Sequence, residues 1–61
     1  MNKELVRILA GIAAGNAEIE AMKVMNTVAA LQGGYPVYTH DDFLRVAAQL
    51  NELGQEAIQH G

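Results

Sequence analysis

The sequence predicts an all-α fold: two to three helices, at about 3–14, 17–32 and 40–59, forming a helical hairpin that assembles into a homodimeric bundle. Three observations lead there. Apolar residues recur at alternating spacings of three and four along most of the chain, the period of a helix face. The composition favours helix, with a hydrophobic fraction of 51% that includes ten alanines, and a single proline, at position 36. Finally, a single domain of 61 residues without cysteine lacks the disulfides that small domains use for support. A chain of this size buries only about 60% of its unfolded surface, so self-association is the support that remains.

The first segment, NKELVRILAGIAA, carries Leu5, Ile8, Leu9 and Ile12 on one helix face. Asn2 is placed to cap its N-terminus and Glu4 sits in the first turn, where the helix dipole favours an acid. The second segment has Asn16 as a candidate N-cap, Glu18 in its first turn and Ile19, Met22, Met25, Val28 and Ala29 as its apolar stripe. It closes on Gly33, suited to the left-handed residue that ends a helix. The Gly15-Asn16 pair predicts a break or sharp kink between the two segments. The alternative is one long helix, because the apolar spacing passes through the pair without a change of phase and a glycine costs only about 1 kcal/mol inside a helix.

The third helix begins at the clearest local signal, Thr39 followed three residues later by Asp42, a capping box with Asp in place of Glu, reinforced by Asp41. Phe43, Val46, Leu50, Leu53 and Ala57 then form a seam that runs through Gly54, making that glycine a weak point and not a stop. Fraying is expected toward Gly61. Arg45, Gln49, Glu52, Gln55, Glu56 and Gln59 give a solvated side, whereas Leu44, Ala47, Ala48 and Ile58 widen the apolar side beyond what one short partner helix covers. The surplus points to a second chain. The oligomer interface is therefore expected at Leu5, Ile8, Leu9, Ile12, Phe43, Leu44, Val46, Leu50 and Leu53.

Charge and chemistry exclude more than they indicate. Lysine and arginine number 4 against 7 acids, a net charge of −3, so the basic surface that nucleic acid or an anionic membrane requires is missing. Leu5 to Ala14 is apolar but interrupted by Arg7 and too short to span a bilayer, and no signal-peptide pattern is present, so a cytoplasmic location is expected. With no serine or cysteine anywhere, the usual nucleophiles are missing, and neither His40 nor His60 has a helically spaced partner for a metal. No enzyme, cofactor or metal is expected. His40, Asp41 and Asp42 point in different directions around a helix start and serve its electrostatics. The two small-residue stretches, Gly11 to Gly15 and Gly33-Gly34, read as a close helix crossing and a helix end. Met22 and Met25 read as core, the alternative being an adaptable groove formed with Met1.

One stretch stands out from this helical material: GGYPVYTHDDF, residues 33–43. An extended Tyr35-Pro36-Val37-Tyr38 would put both rings on one side, either closing the hairpin end or, with His40, binding a ligand or partner. The functional expectation is a small interaction or regulatory protein acting on itself and on an unidentified protein partner. In size and architecture alone it is similar to many plasmid and phage accessory proteins. Two other readings stay open: a small-ligand or nucleotide binder using the 33–43 loop at a subunit interface, and a helix-turn-helix DNA-binding regulator built from three short helices.

Overall fold

A computed structural model describes residues 2–60 as two helices joined by one loop, with no strand among them. Helix α1 spans Lys3–Leu31 and α2 spans His40–His60. Among the described residues, neither helix is long and apolar enough to cross a membrane. Met1 and Gly61 lie outside the described residues, and with them the expected part of Met1 in a groove and the fraying at Gly61.

The segments expected at 3–14 and 17–32 are one helix of 29 residues, and Asn16 is an exposed interior residue, not an N-cap. The reason lies across the seam. A Cβ built on Gly15 would stand 2.5 Å from Cδ2 of Leu50, and one on Gly11 would stand 3.1 Å from Cδ1 of Leu53. Both glycines are thus notches that admit a leucine from α2. Seating a leucine out of water is worth about 1.5–3 kcal/mol, against about 1 kcal/mol for a glycine in a helix interior, so packing wins over local propensity.

The helices run antiparallel, with Arg7 opposite Glu56, Gly11 opposite Leu53, Gly15 opposite Leu50 and Asn26 opposite Tyr38. Leu5, Ile8, Ile12, Ile19 and Met22 face Phe43, Val46, Leu50, Leu53 and Ala57, all of them buried or half-buried. The fully shielded core is small: Ile8 at 0%, Met22 at 4% and Val46 at 5% exposure. A hairpin measuring 47 × 19 × 9 Å has room for only one layer of side chains between its helices.

Each helix end is closed by the residues the sequence offered. The Asn2 side chain accepts from the N–H of Glu4 at 2.8 Å and of Leu5 at 3.4 Å. At the other end of α1, Gly33 has φ +78, and the N–H groups of Gly33 and Gly34 return to the carbonyls of Ala30 and Ala29 at 3.0 and 2.8 Å. That pair of bonds is the Schellman closure, which needs a left-handed residue at Gly33. At the start of α2, the Thr39 hydroxyl accepts from the Asp42 N–H while the Asp42 carboxylate accepts from the Thr39 N–H at 2.9 Å. The capping box works with the shorter acid.

Candidate functional site

The loop between the helices is held from below by Asn26. Its side-chain carbonyl accepts from the Tyr38 N–H at 2.8 Å and its amide donates to the Tyr38 carbonyl at 2.9 Å, so one side chain satisfies both backbone groups of a loop residue. Asn26 lies on the same face as Ile8, Ile19 and Met22, a polar residue in an apolar stripe. That interruption was the signal available in the sequence, and sequence reasoning passed over it.

The three residues expected at a ligand or partner site are separated by this arrangement. Tyr38 is half-buried with its backbone clamped, His40 is exposed in the first turn of α2, and Tyr35 is 92% exposed at the loop tip. The idea that both rings close the hairpin end is corrected accordingly. Only Tyr38 is even partly covered, because the Schellman turn and the Asn26 clamp already close the end through the backbone. No pocket or cleft lies beside the three among the described residues.

The interface residues expected from the sequence also change place. Leu5, Ile8, Ile12, Phe43, Val46, Leu50 and Leu53 occupy the seam within one chain, where a second chain cannot reach Ile8 or Val46 unless the hairpin opens. Leu9 and Leu44 are about half exposed, at 47% and 52%. Periodicity identifies a face that must be covered, and here the other helix of the same chain covers it.

What remains uncovered is the back of α1. At 100° per residue, Val6, Ala10, Ala13, Ala17, Ala21, Val24, Val28 and Leu31 lie within about 40° of the direction opposite α2. All are exposed, and no charged side chain interrupts them between Val6 and Leu31. The back of α2 is different in kind, with Asp41, Glu52, Gln55 and Gln59 around Ala48. Tyr35 and Val37 in the loop are exposed as well, at 92% and 52%.

Arg7 and Asp42 each stand in a cluster of charged or polar groups. Arg7 donates to Glu4 at 3.0 Å and to Glu56 at 3.1 Å, an arrangement that raises the Arg7 pKa, Glu4 contributing most. The Asp42 carboxyl is held below the usual carboxylate range, first by the Thr39 backbone N–H and further by the Thr39 hydroxyl and Arg45, whose Nη2 lies 2.7 Å away. These groups are solvated and serve helix ends and the seam's rim. Among the described residues, no group of three or more His, Asp or Glu is placed to hold a metal ion.

No protein-family model matches the chain, and neither the curated proteins nor the solved structures offer a match to it. Its reading rests on its own residues. The observed pair of helices also removes the three-helix count on which the helix-turn-helix reading stood.

Proposed function

We propose that the chain is a small cytoplasmic, non-enzymatic interaction protein that works as a homo-oligomer and acts on a protein partner through protein–protein contacts. The observation that carries this reading is the uncharged back of α1, where Val6, Val24, Val28 and Leu31 are 44–83% exposed. Exposed apolar surface continuous over a whole helix is a marker of an interface. Tyr35, at the tip and outside that strip, is the surface offered to the protein partner, since aromatic side chains anchor many interfaces.

Sedimentation equilibrium over a wide concentration range tests the first half of this reading, and affinity capture with the parent and with Tyr35→Ala tests the second. The expected results are a mass above the 6.6 kDa chain and a captured protein that the variant loses while its folding stability stays within about 0.5 kcal/mol of the parent's. A single 6.6 kDa species at every concentration, melting cooperatively, removes the homo-oligomer.

A further inference from the structure

We infer that the back of α1 is the seat of an antiparallel homodimer, in which Val24 and Val28 of one chain pack onto Ala13 and Ala10 of the other. This inference rests on the homo-oligomer reading above and adds the face, the direction and the register.

The exposed area sets the scale. The chain exposes 4613 Å², whereas a compact protein of its mass exposes about 3,900 Å². The surplus, about 700 Å², is close to the roughly 800 Å² that each partner contributes to a stable interface. The occupant of the strip must match its length, about 44 Å for a helix of 29 residues, and its lack of charge. A second α1 offers both. The back of α2 does not, because Asp41, Glu52 and Gln55 would lose solvent against alanine and valine.

Shape decides the direction. Past Val6 at its start, the strip is small over Ala10, Ala13 and Ala17 and bulky over Val24, Val28 and Leu31. A parallel pair sets bulky against bulky and small against small, so contact at one end leaves a gap at the other. An antiparallel pair sets bulky against small from Ala10 to Val28 and keeps the axes close there, which dense packing requires. Charge agrees. In a parallel pair Lys3, Glu18, Glu20 and Lys23 each stand level with their own copies, and the helix dipoles align, whereas the antiparallel pair offsets the like charges and opposes the dipoles.

The absence of natural cysteine makes the test direct. Ala10→Cys and Val28→Cys lie about 27 Å apart along one helix, too far for a bond within a chain. Under mild oxidation the double variant is expected to run as a disulfide-linked dimer, and so is a mixture of the two single variants, while each single variant alone stays uncrosslinked. Single variants that crosslink to themselves would show a parallel pair, and no crosslinking in any sample would show another face; either overturns the inference. In sedimentation, Ala17→Glu is expected to fall from twice the chain mass to 6.6 kDa with helicity retained, while Gln55→Glu on the back of α2 keeps the parent's mass. An oligomeric parent whose Ala17→Glu variant keeps the same mass overturns the face alone and leaves the homo-oligomer standing. A monomeric parent overturns both, and a monomeric parent that co-sediments with phosphatidylcholine vesicles assigns the strip to a lipid surface instead.

Discussion

The two helices of the hairpin share caps, direction of packing and an apolar inner face, but they differ on their backs. α2 is amphipathic in the ordinary way, one face against α1 and the other in water with Asp41, Glu52 and Gln55. α1 is apolar around most of its circumference, with Ile8 and Met22 shielded inside and Val24 and Val28 more than 40% exposed outside. A helix apolar all round is normally buried on every side. The difference shows that α2 completes only half of the burial that α1 requires. It also separates the roles: α2 makes the hairpin, and the back of α1 stays in solvent, the face proposed above for association.

Substitutions on the four helix faces can break this contrast or sharpen it. The largest effect is expected on the inner face of α2. Leu50→Asp puts a charge into the Gly15 notch at a cost of several kcal/mol, comparable to the whole stability of about 5 kcal/mol for a chain this size, and circular dichroism should show an unfolded protein. The matched change on the back of the same helix, Gln55→Asp, should move the melt by no more than about 0.5 kcal/mol. Equal effects at the two positions would mean that the seam has been misplaced.

Asn26→Ala comes next. It leaves the N–H and carbonyl of Tyr38 without their partner, and a loss of about 1–3 kcal/mol is expected in chemical denaturation, with faster hydrogen exchange at the Tyr38 amide. A silent variant would show that water replaces the side chain at no cost.

Two glycines should then respond in opposite directions to the same change. Gly33→Ala forces a side chain into φ +78 and should cost about 1–2 kcal/mol. Gly54→Ala adds a methyl group into open space inside α2 and should gain about 0.5–1 kcal/mol. The smallest effect belongs to Asp42. Its folded pKa is depressed, so its contribution is complete above the unfolded value of about 4 and is lost as pH falls through the folded value. The parent's midpoint should therefore drop below about pH 4, and Asp42→Asn should flatten that part of the curve in melts taken between pH 2 and 5.

How much was legible in the sequence follows from where each signal resides. The caps at Asn2, Gly33 and Thr39 with Asp42 are set by residues within a few positions of one another, and all three stand as read. So does α2, expected at 40–59 and found at His40–His60. The expected break at Gly15-Asn16 failed because its cause is 35 residues away in Leu50, and no local rule weighs a leucine not yet placed. Asn26 was missed for the same reason. The interface residues show a different limit. A hydrophobic period states that a face is covered but not by which chain, so inner seam and outer strip could not be told apart on α1, where both are apolar.

The notches at Gly11 and Gly15 have a further effect, on slippage. Alanine-rich helices present smooth surfaces, and a smooth pair can slide along its axis by a turn at little cost. Here, one turn toward the start of α1 brings Leu50 to Gly11 but drives Leu53 from its notch onto Arg7, beside the fully enclosed Ile8. One turn the other way seats Leu53 at Gly15 and drives Leu50 against Ile19. Either neighbouring alignment therefore seats one leucine and sets the other against a large side chain in place of a notch. Two missing side chains act as a key with two teeth, and only one position of the lock admits both.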